Sequence, residues 1–199
     1  MRLVLASASP RRADLLRAAG IEFDVVVANV DESIVAGETA EQHVRRLAEA
    51  KARAVVPKAG QQPVLAADTV VVVDRMILGK PADDRDAARM LRLLSGRAHE
   101  VMTGVVLAHE PAKAGPHDSK PGPYDSRVAV TTVEFSPLTD AEIDWYVATG
   151  EPRDKAGAYA IQGLASRFVT RIDGSYSNVV GLPVALVYGL CARSGLLVR

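Results

Sequence analysis

The chain has 199 residues, and its 24 lysines and arginines balance 24 aspartates and glutamates, so no global electrostatic case exists for nucleic acid or a membrane surface as partner. A single cysteine, Cys191, excludes an intrachain disulfide framework and suits a reducing compartment. No apolar run approaches the roughly 20 residues that span a bilayer, and Ser7, Ser9 and two arginines interrupt any signal-peptide pattern at once. A cytoplasmic protein with one sizeable core, or two small lobes sharing a cleft, is expected.

Leu3 to Ala6 is an apolar run of strand length. Ser9 suits a helix N-cap, because its hydroxyl can accept a bond from an orphan N–H of the first turn, and Pro10 then falls at the first helical position, where its missing N–H costs nothing. Leu15, Leu16 and Ala19 supply an apolar stripe. Phe23 to Ala28 predicts a second strand, ending near the acidic pair Asp31–Glu32. Thr39 opens a helix with the capping box Thr39-Ala40-Glu41-Gln42, and this helix stops before Pro57. Val64 to Val73 is continuously apolar but for Asp68 and Thr69, the pattern of a strand buried on both faces. Asp74-Arg75 turns it into a short partner, Met76 to Leu78. Asp83 caps a helix with Ala87, Met90, Leu91 and Leu94 on one face. Ala98 to Ala108 and Arg127 to Phe135 predict two long strands, and the proline- and glycine-rich stretch from His109 to Ser126 an exposed, mobile loop between them. Thr139 begins another helix, which Gly150 and Pro152 end. Ala158 to Gln162 and Arg167 to Ile172 predict strands, and Leu182 to Ser194 a closing helix. Helices and strands alternate without regular βαβ units, so a mixed sheet in an α/β fold is expected.

Several residues break the local rules. Arg11 and Arg12 fall in a first helical turn, at the positive end of the helix dipole, where cations are unfavourable. An anion docked among the free N–H groups, the hydroxyls of Ser7 and Ser9 and the guanidinium forks reverses that sign; two solvated surface arginines are the plain alternative. Asp68 interrupts a buried strand, which is expensive for a carboxylate unless it is paired or binds a metal; a frayed strand with Asp68 as a cap is the alternative. Lys51 lies within the stripe Val44, Leu47, Ala48, Ala52, Val55, where it either snorkels or points its ammonium into a site at the edge of the core. Lys80 precedes a helix start and Glu32 follows a strand end; each alone is weak. Together these cations near helix starts, acids after or within strands and small residues are the inventory for a polyphosphate with a divalent metal. Phosphate-binding loop, GxGxxG, CxxC and HExxH patterns are absent. His43, His99, His109 and His117 lack metal-ligand spacing, and Cys191 sits in an apolar helix as core.

The segments LASASPRRADLL, AADTVVV, GKP followed by ML and LSG, DKAGAYAIQG and SYSNVVGLP occur in the order found in the Maf family of nucleoside triphosphate pyrophosphatases, which the chain resembles from Leu3 to about Leu190. Only the loop near 109–127 looks longer than usual. The resemblance implies a single domain over residues 1–199: an elongated mixed β-sheet with flanking helices, in two lobes around a deep cleft, similar to the inosine triphosphate pyrophosphatases. It implies cleavage of a nucleoside triphosphate between the α and β phosphates, with Mg²⁺ or Mn²⁺ as cofactor. By the same resemblance Ser7, Ser9, Arg11 and Arg12 grip phosphates, Asp68 is the catalytic acid described as proton acceptor, and Glu32, Lys51 and Lys80 are polar cleft residues; Glu32 and Asp68 are the candidate metal ligands, with Asp68 open between metal ligand and base. Asp68-Thr69 and Ile161-Gln162-Gly163 resemble the subgroup that prefers dTTP and UTP, with Thr69 and Gln162 toward the base. The alternatives are 7-methyl-GTP or another purine triphosphate as substrate, or a nucleotide-binding regulator of septum formation and cell division. Neither nucleic acid nor membrane is an expected partner, and a homodimer is compatible with the sequence.

Overall fold

The computed structural model describes residues 2–108 and 124–196. Of the loop expected over His109–Ser126, residues 109–123 lie outside this description, while Tyr124, Asp125 and Ser126 already belong to a strand. The strands are β1 (Leu3–Leu5), β2 (Phe23–Val25), β3 (Val64–Val73), β4 (Met76–Leu78), β5 (Ala98–Ala108), β6 (Tyr124–Phe135) and β7 (Val169–Asp173). The helices are α1 (Pro10–Ala18), α2 (Ala40–Val55), α3 (Asp84–Leu94), α4 (Asp140–Ala148), α5 (Tyr176–Val180) and α6 (Val184–Arg193). The strands form a mixed seven-stranded sheet in the order β2-β1-β3-β5-β6-β7, with β4 hydrogen-bonded to β3. Strand β1 runs parallel to both β2 and β3, whereas β3–β4 and β6–β7 are antiparallel. This is the expected α/β class. No helix among the described residues is long and apolar enough to cross a membrane.

The chain folds into two compact units, one of Met1–Asp68, Thr103–Ala129 and Gly181–Arg199, the other of Thr69–Met102 and Val130–Val180. In the first unit the apolar runs are buried on both faces by alternation. Leu3, Leu5, Leu65, Ala67, Val105 and Leu107 pack with α1 and α6, through Ala13, Leu16, Val187 and Leu190. Val4, Ala6, Val64, Ala66, Val106 and Ala108 pack with α2, through Ala48, Ala52 and Val55. Side chains of a strand alternate between faces, so unbroken runs in β1, β3 and β5 are what a helix layer on each side requires. The β1–α1–β2 connection leaves β1 on one side and α2 returns the chain past it to β3, so the two helices cover opposite faces.

The second unit is built around Val71, Val73, Val101, Val133 and Phe135 of the strands, with Met90, Leu91 and Leu94 of α3 and Ile143 and Tyr146 of α4. Asp74 and Arg75, with φ of 49° and 66°, make the tight turn that joins β3 to β4. Asp83 caps α3 through a 2.7 Å bond from the Asp86 N–H, and Thr139 caps α4 through a reciprocal box with Glu142. The strand expected at Ala158–Gln162 does not form. Gly157 and Ala158 both take left-handed φ values, 67° and 59°, which no ladder accommodates. Tyr159, Ala160 and Ile161 are buried as a strand would be, but in a turn.

His99 is embedded in this second core, 3% exposed, edge-on to Phe135 and Tyr159, with its Nε2 2.9 Å from the Tyr159 hydroxyl. Burial pushes its pKa down from 6.5 to about 4. An unfolded chain therefore binds a proton at His99 that the folded chain rejects. The neutral ring's stabilisation is full above pH 6.5 and is lost as pH falls toward 4, on the order of 3 kcal/mol in all. Denaturant midpoints measured between pH 7 and 4 should fall for the parent and fall less for His99→Leu.

Candidate active site

Ser7 follows the carboxyl end of β1, and Asp68 lies midway along the adjacent parallel strand β3, past Leu65, the last β3 residue paired with β1. Val64 and Ala66 put their side chains on the α2 face of β3, and Asp68 continues that parity. It meets Lys51 on α2, whose Nζ is 2.7 Å from Asp68 Oδ1 and 2.6 Å from Glu32 Oε1. The Lys51 and Asp68 side chains are 9% and 10% exposed, that of Glu32 51%. The lysine in the apolar stripe of α2 therefore does not snorkel to solvent; it offsets the carboxylate that interrupts β3.

Arg12 is the second anchor. Its Nε donates to the Gly181 carbonyl at 2.8 Å, and one terminal nitrogen donates to the Ala67 carbonyl at 2.8 Å and to Ser7 Oγ at 3.1 Å. One guanidinium thus brackets the turn after β1, the middle of β3 and the approach to α6. Burial pushes the Arg12 pKa down; Asp68 and Glu32 oppose this, and Arg11 adds to it. Arg11, Arg12, Lys51, Glu32 and Asp68 thus form one electrostatic neighbourhood, three cations facing two carboxylates. Arg11 and Ser9 are half-buried and Ser7 is buried. Ser9 occupies the N-cap of α1 with extended backbone, but its hydroxyl makes no capping bond. The expected cap is replaced by a 3.2 Å bond from the Ser9 N–H to Ser7 Oγ. Two hydroxyls and the first N–H groups of α1 are grouped at one helix start.

Glu32 rides on a segment held by a cluster that sequence reasoning did not find. Glu38 accepts from Arg46 at 2.7 and 2.9 Å, lies 2.5 Å from His43 Nδ1 and accepts the Val35 N–H at 2.9 Å. Arg46 also donates to the Ser33 carbonyl at 2.9 Å. The Arg46 guanidinium holds the Glu38 carboxyl far below its ordinary range. The residues on either side of Thr39 were read only as a capping box; the i to i+8 pairing across it has no periodic signature.

The second unit carries the other expected residues. Thr69 is half-buried and has the opposite strand parity to Asp68, so the two side chains belong to different faces of β3. Lys80 is exposed just after β4. The Gly157 N–H donates to the Gly79 carbonyl at 3.0 Å, tying the turn before Lys80 to the segment that leads to Gln162. A Cβ at Gly157 would lie 2.7 Å from Val71, so this close approach needs a glycine. Gln162 is exposed, on the turn Ile161–Gly163.

The two carboxylates converge on one cationic position, which also suits a divalent ion. Mg²⁺ commonly takes one or two carboxylates and completes its octahedron with phosphate oxygens and water. No group of three or more His, Cys, Asp or Glu that could hold a metal exists among the described residues, so Glu32 and Asp68 could supply at most two protein ligands.

The family described as Maf-like protein matches residues 2–194. A dTTP/UTP pyrophosphatase of Koribacter versatilis (strain Ellin345) is 51% identical over 197 residues, 99% of this chain and 96% of the relative. A protein of the same name from Anaeromyxobacter sp. (strain Fw109-5) is 52% identical over 194 residues, 98% of this chain and 90% of the relative. Another, from Geotalea uraniireducens (strain Rf4), is 50% identical over 193 residues, 97% of this chain and 95% of the relative. The crystal structure of protein VC0702 from Vibrio cholerae is similar with a TM-score of 0.47 at 10% identity, over 96% of each chain. The chain belongs to the family of Maf-like proteins.

Proposed function

We propose that this chain is a nucleoside triphosphate pyrophosphatase that hydrolyses dTTP and UTP to the monophosphate and pyrophosphate. One observation carries the reading: Lys51 joins Glu32 and Asp68, beside a helix start lined by Ser7, Ser9, Arg11 and Arg12. Named relatives at about half identity over nearly the whole chain supply the substrate class.

In this reading the phosphates lie at the start of α1 and against Lys51. Asp68 orients a water and takes its proton, the water oxygen bonds to the α-phosphorus, and the bond to the bridging oxygen breaks. Arg11 and Lys51 stabilise the charge that develops on the departing pyrophosphate. Glu32 and Asp68 would hold a divalent ion, which would supply a more acidic water and neutralise phosphate oxygens. Chelation with EDTA should stop turnover, and Mg²⁺ or Mn²⁺ should restore it.

Gln162 reads the base. Thymine and uracil present an N3–H donor beside the O4 acceptor, and the glutamine amide offers one acceptor and one donor. Cytosine reverses that edge. The test is a panel of dTTP, UTP, CTP, ATP, GTP and 7-methyl-GTP with Mg²⁺, followed by product analysis. Pyrophosphate should appear first, with dTTP and UTP best, CTP weaker and purines poor. Gln162→Ala should lower kcat/KM on dTTP by about 1–3 kcal/mol of transition-state binding. Orthophosphate and a diphosphate as first products would overturn the bond assignment. A higher kcat/KM on a purine triphosphate than on both dTTP and UTP would overturn the substrate.

A further inference from the structure

We infer that Tyr146 and Glu151 are specificity-positioning residues, a clamp that fixes the turn carrying Gln162 so that its amide meets two points of the pyrimidine edge at once. The inference rests on the reading of Gln162 proposed above.

The clamp grips the turn on both sides. Before Gln162, the Ala160 N–H donates to Tyr146 Oη at 3.1 Å. After it, the Leu164 N–H donates to Glu151 Oε2 at 3.1 Å and the Ala165 N–H to Glu151 Oε1 at 3.4 Å. Tyr146 donates its own proton to Glu151 Oε1 at 2.8 Å, which joins the two halves. Both anchors are themselves held. Tyr146 is fully buried and packs edge-on against Phe168, ring centroids 5.5 Å apart. The Glu151 N–H donates to Thr149 Oγ1 at 3.2 Å, and Lys155 Nζ donates to the Glu151 carbonyl at 2.8 Å. Gly163, next to Gln162, has no room for a side chain: a Cβ there would overlap the Glu151 carboxylate. Burial and then Glu151 push the Tyr146 phenol pKa up, so the hydroxyl keeps the proton it donates.

Gln162 is exposed, so core packing does not fix it. Two-point pairing needs the Gln162 backbone held at one distance from the base edge, whichever way the amide faces. Loss of the clamp should therefore lower kcat/KM through Gln162, and have little further effect once the Gln162 amide is gone.

The test is a double-mutant cycle on UTP and dTTP: kcat/KM for the full chain, Tyr146→Phe, Glu151→Gln and Gln162→Ala, and for each clamp variant combined with Gln162→Ala, all at a temperature where each is folded. Tyr146→Phe removes both hydroxyl bonds and keeps the ring. Glu151→Gln keeps the shape but turns one acceptor facing a backbone N–H into a donor. Each clamp variant alone should lower kcat/KM about five-fold or more, with pyrophosphate still the product, and less than about two-fold in the Gln162→Ala background. A merely structural role lowers both backgrounds equally, and that result would overturn the clamp. An unchanged kcat/KM in Gln162→Ala alone would overturn the base reading beneath it, which separates the two failures. Amide exchange on the unmodified protein gives a check that needs no variant to fold. The Ala160, Leu164 and Ala165 amides should be protected, and exchange at unfolded-chain rates would remove the clamp.

Discussion

Asp68→Asn should fold, bind nucleotide and lose turnover by about 10² or more. Asp68 stands in β3 with its side chain 10% exposed, 2.7 Å from Lys51 Nζ. Asparagine keeps the volume and an oxygen that can still accept from Lys51. What it loses is the charge and the capacity to take a proton from water. The loss should therefore appear mainly in kcat, and the need for Mg²⁺ should sharpen, since one of two carboxylates that suit the ion is gone. Lys51 retains Glu32 at 2.6 Å, so its ammonium is not stranded and the fold should survive. A folded Asp68→Asn with turnover near that of the parent would remove this carboxylate from the chemistry.

The same residue shows how far the sequence could be read. A carboxylate in an apolar decapeptide is visible as an anomaly because burial without a partner is so costly, and the lysine that compensates it was visible for the same reason on α2. Both anomalies resolve into one ion pair. Double-faced strands, capping boxes at Thr39 and Thr139 and the turn at Asp74-Arg75 were legible because local chemistry fixes them. Ala158–Gln162 was not. Its apolar residues are buried by the second core while two left-handed residues bend the chain, and periodicity does not distinguish a buried turn from a buried strand. The clusters around Glu38 and Glu151 also escaped. Each acts through backbone N–H groups of a neighbouring segment, and such bonds leave no residue pattern in the segment that receives them.

The two adjacent arginines of the opening helix should separate into different roles. Arg12 is 8% exposed and spends its donors on Gly181, Ala67 and Ser7. Arg12→Ala leaves two carbonyls and a hydroxyl without that partner in a buried setting, at roughly 1–3 kcal/mol for each group left unsatisfied. A loss on the order of 3 kcal/mol corresponds to a thermal midpoint about 6–12 °C lower for a chain of this size. Arg12→Lys should recover little, because an ammonium cannot reproduce a planar fork that serves three acceptors in different directions. Arg11 is half-buried in the same first turn. Arg11→Ala should lower the midpoint less than Arg12→Ala does and reduce kcat/KM by about 10- to 100-fold, the worth of a charge-assisted bond to phosphate. Differential scanning calorimetry beside steady-state kinetics on both variants decides the matter. Equal midpoints for Arg12→Ala and the parent would show that the bracket contributes no stability, and an Arg11→Ala variant with full activity would take that side chain away from the phosphates.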